Sequence, residues 1–135
     1  MTSPMDEAKS WLRSAELNMD GSNYSKSVYA LEMSLEIALK SVLVSASQSA
    51  TRQHDVLPQL EGIILLKPKL LSAAFKQQFE HIVPVFRQLL ALRLPSAYGY
   101  EATFSEDDFR HVSEECYDLV EKMISTCEKE IKRTK

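Results

Sequence analysis

The sequence predicts an all-α fold, an up-and-down helical bundle of four to five main helices, and three observations carry that reading. Apolar residues recur at three- and four-residue steps through most of the chain, the spacing that gathers side chains on one face of a helix. Capping residues and prolines punctuate those runs at helical lengths. No stretch alternates with the two-residue period of a strand. The 135 residues suit one domain, residues 1–135, which would bury roughly two thirds of its unfolded surface. A hydrophobic content of 44% with 26% charged residues belongs to a folded chain rather than a disordered one.

The first helix opens at Ser3, Pro4 and Asp6, a serine cap followed by proline and an acid in the first turn. It runs to about Met19, with Ala8, Trp11, Leu12, Ala15 and Met19 as its apolar stripe and Trp11 assigned to the core. Asp20-Gly21-Ser22 breaks it, and so short a link sets the next helix antiparallel. That second helix, capped by Ser22 and running from Asn23 to about Ser47, is the one the rest should pack around. Val28, Leu31, Leu35, Ala38, Leu39, Val42 and Leu43 line one face, and Tyr24, Ala30, Met33, Ile37 and Ala46 widen it well beyond a stripe.

Ser45 to Gln53 reads as a loop. His54 or Asp55 then opens a short helix carrying Val56, Leu57, Leu60, Ile63 and Ile64, with Pro58 tolerable in its first turn and Lys67-Pro68 ending it. Leu70 to Leu92 is helical again, and Pro84 is expected to kink or split it. Arg93 to Thr103 has no period and forms a loop. Ser105 with Asp108 caps a last long helix whose core face runs from Phe109 to Ile131.

Composition excludes several classes of function. The formal net charge of −3 carries no general basic field of the kind that releases phosphate counterions. The longest apolar runs, such as Gly62 to Leu66, are far too short to span a bilayer. Asp6, Glu7 and Lys9 interrupt the start before any apolar run, so the chain reads as cytoplasmic with no membrane partner. Cys116 and Cys127 fall about three turns apart on one helix and read as buried thiols, not a disulfide. There is no close Cys or His pairing of the kind zinc selects, so no metal site is assigned. With only Gly21, Gly62 and Gly99 in the chain, the glycine-rich phosphate loops are absent, and a nucleotide site would have to be built from side chains. No cofactor is implied beyond such a nucleotide ligand.

Glu32, Glu36 and Lys40 step down one face of the second helix. Glu36 before Lys40 is the favourable order for an exposed pair, worth about 0.2–0.5 kcal/mol. If that face is buried, the pair becomes a site candidate instead of a structural bridge. His54 is read either as a helix-start residue bonded to nearby backbone or, together with Arg52, as a phosphate or base contact. Arg93 is read as a phosphate or carboxylate contact or as a structural ion pair, for example with the acidic start of the last helix. Tyr98 and Tyr100 either pack the loop and a dimer contact or stack on a base. No residue is assigned a catalytic role, since no histidine has a serine or cysteine at a telling spacing.

Taken in order, Trp11-Leu12, Glu36 three before Leu39-Lys40, Thr51 with His54 and Leu57, Arg93-Leu94-Pro95 and the final helix resemble the HEPN family, the higher-eukaryote and prokaryote nucleotide-binding domains. The resemblance covers nearly the whole chain. It implies a small up-and-down bundle, commonly homodimeric, often encoded beside or fused to a minimal nucleotidyltransferase and found in toxin-antitoxin type systems. Many members are ribonucleases that use an arginine followed a few residues later by histidine. That motif is missing: Arg52 and His54 are too close, Arg110 and His111 are adjacent, and Lys76 with His81 lacks the planar guanidinium fork. The family's arginine-tyrosine-proline loop falls on Arg93-Leu94-Pro95, with leucine where tyrosine is usual and Tyr98 and Tyr100 as stand-ins.

The expectation is therefore a nucleotide- or RNA-associated domain, non-catalytic, binding through Arg93, Lys40, Arg52, His54, Tyr98, Tyr100 and Glu36. A homodimeric interaction bundle built on the apolar girth of the second helix is the alternative. A divergent ribonuclease is the third reading.

Overall fold

The computed structural model describes residues 3–46, 48–93 and 104–133. They form five α-helices, α1 (Pro4–Asp20), α2 (Tyr24–Ser45), α3 (Leu57–Leu66), α4 (Ala73–Ala91) and α5 (Glu106–Arg133), with a 3₁₀ turn at Pro68–Leu70 between α3 and α4. No strand occurs among the described residues.

α1 starts as its sequence requires. Ser3 Oγ accepts from the Asp6 N–H while the Asp6 carboxylate accepts from the Ser3 N–H, a closed capping box. Its end differs from expectation. Gly21 sits at φ −86°, and the left-handed position is taken one residue later by Ser22 at φ 61°. The Ser22 N–H bonds to the Met19 carbonyl and the Asn23 N–H to the Asn18 carbonyl, at 3.0 and 2.7 Å, the two bonds of a Schellman closure. Ser22 therefore terminates α1 and is not the cap of α2. Asn23 holds the cap position, with no side-chain capping bond.

α2 is the central helix. It packs most extensively against α1 and α5, and also against α4. Val28, Leu31, Leu35, Ala38, Leu39 and Val42 are wholly buried, and so are Ser27, Glu32 and Ser34 on its other faces. The apolar girth of this helix is thus covered within the chain. Ser27 Oγ donates to the Ala15 carbonyl at 2.8 Å and lies 2.9 Å from Ser113 Oγ, so one buried point ties α1, α2 and α5 together. The ion pair Lys9–Glu128 and the Tyr117–Glu16 hydrogen bond at 3.1 Å set α1 and α5 antiparallel. Trp11 is half-buried instead of central, edge-on to Tyr29 with centroids 6.1 Å apart.

α3 begins at Leu57, later than His54 or Asp55, because the Asp55 carboxylate takes the Leu57 N–H at 3.1 Å from outside the helix. α4 also starts later than its apolar pattern suggests. Pro68 to Leu70 is 3₁₀, Leu71 is extended, and Ser72 caps the helix by accepting the Phe75 N–H at 3.0 Å. Ser72 is itself held by Glu130 of α5, whose carboxylate accepts from the Ser72 N–H at 3.0 Å and from its hydroxyl. α4 then continues through Pro84 without being split. Phe75, Phe79, Ile82, Phe86 and Leu89 fill its buried face. α5 opens with the expected box, Ser105 Oγ accepting the Asp108 N–H at 3.1 Å and Asp108 accepting the Ser105 N–H at 2.9 Å. Cys116 and Cys127 are free and buried as expected, and burial pushes their thiols up to about 11 and about 12.

Candidate functional site

The polar stripe of α2 turns inward. Tyr29, Glu32, Glu36 and Lys40 follow one another at helical steps, and that edge faces the loop before α3 and the residues just past α4. Glu32 is fully buried, Glu36 is 5% exposed at its side chain and Lys40 23%. The Glu36–Lys40 pair, 3.0 Å apart, is therefore no surface bridge. It belongs to the site.

The loop brings its histidine to this edge because it is fastened on both sides. Val56 is wholly buried and anchors one end. Gln59 of α3 clasps the other, accepting the Thr51 N–H at 2.8 Å and donating to the Ser49 carbonyl at 2.6 Å. Between these anchors His54 places Nδ1 at 3.2 and 3.3 Å from the two oxygens of Glu36. Its Nε2 lies 3.1 Å from Arg93 Nη2. A guanidinium can only donate, so Nε2 must carry the lone pair and Nδ1 the proton, which it gives to Glu36. The two contacts fix a neutral tautomer whose ring remains 54% exposed.

Arg93 completes the cluster two residues beyond α4. Its Nε stands 3.7 Å from Glu32 Oε1, and its guanidinium carbon is 5.1 Å from the centroid of Tyr29. Among the described residues its ion pair is thus with Glu32 and not with the acidic start of α5. Glu32 accepts no hydrogen bond at either oxygen among the described residues. Burial, then the neighbouring Glu36, push its carboxyl up to about 9 against the lowering pull of Arg93 and Lys40. Glu36 goes the other way. Burial would raise it, but the Glu32 carboxyl, Lys40 and His54 outweigh that and hold it below the ordinary carboxylate range. The pair therefore sits with a proton on the inner acid and the charge on the outer one.

Of the residues the sequence singles out, Glu36, Lys40, His54 and Arg93 converge. Arg52 does not: it lies exposed on the loop, and no hydrogen bond or ion pair engages it among the described residues. Tyr98 and Tyr100 lie outside the described residues. Glu32 and Tyr29 are members the sequence reading did not assign. The signal for both was available, since Tyr29, Glu32 and Glu36 recur at three- and four-residue steps on a helix otherwise buried all round.

Chemically, the cluster can hold an anionic oxygen on Arg93, joined by His54 only when its Nε2 takes up a proton, or exchange a proton at the solvent side of the imidazole. Its three ligating atoms from Glu32, Glu36 and His54 also lie within 4.8 Å of one another. A separate apolar cleft of about 550 Å³ is lined by Ala91, Leu92, Phe104, Phe109 and Val112 with Gln88, Asp108 and His111 at its polar positions.

No curated protein and no solved structure matches the chain. The family model of the HEPN domain does, across residues 2–131, in agreement with the all-helical bundle and with the order of residues along it. This nucleotide- and RNA-associated helical chain therefore belongs to the HEPN domain family.

Proposed function

We propose that the domain binds a phosphate-bearing ligand, a nucleotide or an RNA segment, where Arg93 and His54 meet beside Lys40, without transforming it. The observation that carries this reading is the 3.1 Å contact between Arg93 Nη2 and His54 Nε2. It holds a guanidinium next to a half-exposed imidazole on a buried acidic base. An incoming phosphate oxygen would accept from the Arg93 guanidinium, and from His54 once Nε2 takes up a proton, in place of the nitrogen-nitrogen contact. In the same reading the domain is cytoplasmic and homodimeric, and it works with a minimal nucleotidyltransferase or in a toxin-antitoxin type system. Leu17, Val44, Leu65 and Leu66, all more than half exposed, are the apolar surface left for such contacts. No described helix is long and apolar enough to cross a membrane. Calorimetric titration of ATP and of a short single-stranded RNA into wild type and Arg93→Ala tests the site. Binding weakened about tenfold or more is expected for the variant, as for loss of one charged contact. Equal heats for both proteins would remove Arg93 from the reading.

A second reading is a divergent ribonuclease. It is favoured by the orientation of His54, whose Nδ1 is held by Glu36 while Nε2 touches Arg93. The geometry supplies in space the arginine-histidine pair that the sequence lacks as a contiguous motif, with a carboxylate fixing the tautomer. Incubation with cellular RNA, comparing wild type with His54→Ala and His81→Ala, separates the two readings. Cleavage lost only in His54→Ala establishes the enzyme, and absence of cleavage in all three leaves the binding domain.

A further inference from the structure

We infer that Glu32, Glu36 and His54 form a site for one divalent transition cation of the zinc class, and that a cation there displaces the Arg93 guanidinium. The first observation is the donor set: one oxygen from each carboxylate and a ring nitrogen of His54, all within 4.8 Å of one another, with Nδ1 the nitrogen that stands 3.2 Å from Glu36. Ligands about 2.0–2.2 Å from a common ion fit within that spread. The second is independent of the clustering. Glu32 is completely buried, points into the cluster, and leaves both oxygens without a hydrogen bond among the described residues. Buried carboxylate oxygens are normally satisfied, because taking them out of water costs several kcal/mol otherwise. The 3.7 Å approach of Arg93 Nε to Glu32 is an ion pair beyond hydrogen-bond length. It brings a cation beside the acid without filling the lone pairs.

The chemistry of the donors selects the ion. Two carboxylates and an imidazole suit zinc or manganese, whereas magnesium prefers an all-oxygen octahedron with retained waters. Binding releases the proton held by Glu32 to solvent, and the two carboxylates then balance the divalent ion, with Lys40 still paired to Glu36. The half-exposed face of His54 leaves an approach for a water as the remaining ligand. Coordination through Nδ1 has one necessary consequence. The proton now shared with Glu36 must move to Nε2, and an Nε2–H can no longer accept from Arg93. Metal binding and the Arg93–His54 contact therefore exclude each other, and Arg93, a cation beside the ligands, opposes the ion until it swings away.

This inference does not rest on phosphate binding, and it is tested without nucleotide. Zinc chloride is titrated calorimetrically into the full chain and into Glu32→Gln, His54→Gln, Arg93→Gln and His111→Gln. The pair His111–Asp107, 3.4 Å apart on the surface, is the obvious adventitious site, which makes His111→Gln the control. One equivalent is expected for wild type. Affinity falls about tenfold or more in Glu32→Gln and His54→Gln, rises in Arg93→Gln and is unchanged in His111→Gln. Nitrogen-15 spectra of the imidazole should show His54 changing from the Nδ1–H to the Nε2–H tautomer. Glu32→Gln is isosteric and its fold is checked by circular dichroism. His54→Gln changes an exposed ring, so its result stands even if the buried variant misfolds. Absence of zinc binding, wild-type affinity in His54→Gln, or loss of binding in His111→Gln overturns the site. Unchanged affinity in Arg93→Gln overturns the displacement.

Discussion

Glu32 and Arg93 face each other at 3.7 Å, the acid shut away from solvent and the guanidinium 18% exposed beside it. The distance is short enough for charge to matter and too long for a hydrogen bond. The acid therefore depends on the nearby guanidinium for its charge balance, while neither of its oxygens accepts a hydrogen bond among the described residues.

Stability should fall as pH rises through the neutral range, and Glu32 is the reason. Its carboxyl titrates near 4.5 when unfolded and is pushed up to about 9 by burial in the fold. Between those values the folded chain binds the extra proton. The contribution is complete below the unfolded value and is lost as pH climbs through the folded one, at up to about 1.4 kcal/mol per pH unit. Glu36, held low, acts in the opposite sense and only in the acid range: its contribution is present above its unfolded value and lost as pH falls through the folded one. Urea unfolding of wild type at about pH 5 and about pH 8.5 should show the decline, and Glu32→Gln should flatten it. Parallel profiles for the two proteins would remove Glu32 as the source.

The Glu32–Arg93 relationship should appear as non-additivity. Arg93→Gln alone is expected to cost about 1–3 kcal/mol at mildly alkaline pH, since it strands a buried acid. In the Glu32→Gln background the same change should cost less, with a coupling energy of about 0.5–3 kcal/mol. Some loss will persist there, because the guanidinium also lies over Tyr29. Additive costs across the cycle would mean that the two charges do not sense each other.

The buried serines give an asymmetric prediction. Ser27 Oγ donates its single proton to the Ala15 carbonyl, so Ser113 must be the donor in the 2.9 Å contact between the two hydroxyls. Ser113→Ala leaves Ser27 still bonded and should cost at most about 1 kcal/mol. Ser27→Ala removes the acceptor from a wholly buried hydroxyl and should cost about 1–3 kcal/mol. Chemical denaturation of both variants measures the difference, and a larger cost for Ser113→Ala would reverse the assignment of donor and acceptor.

The helices were legible in the sequence where local chemistry decides them. The Ser3 and Ser105 caps, the stop at Lys67-Pro68 and the central role of α2 all follow from residue types at fixed offsets. Boundaries failed where a neighbour in space decides. Ser72 starts α4 because Glu130, far along the chain, anchors it; the end of α1 differs for a local reason, as Ser22 takes the left-handed position and so cannot cap α2. The site was half legible. Glu36, Lys40, His54 and Arg93 could be named, but their convergence depends on the Gln59 clasp and on the burial of Val56, neither of which has a periodic signature. Glu32 was visible as a charge on an apolar helix. Only packing reveals that it is buried completely, with neither oxygen bonded among the described residues.

Pro84 in the middle of α4 has a mechanical consequence. With no N–H to offer, it deprives the Glu80 carbonyl of its helical partner and softens the rod at that point. The half before it is riveted to α5 through Ser72 and Glu130, while the half after it leads to Arg93. The two halves are therefore moored separately, the first by Ser72 and Glu130 and the second by the wholly buried Phe86 and Leu89, and it is this second mooring that holds Arg93 against the central helix.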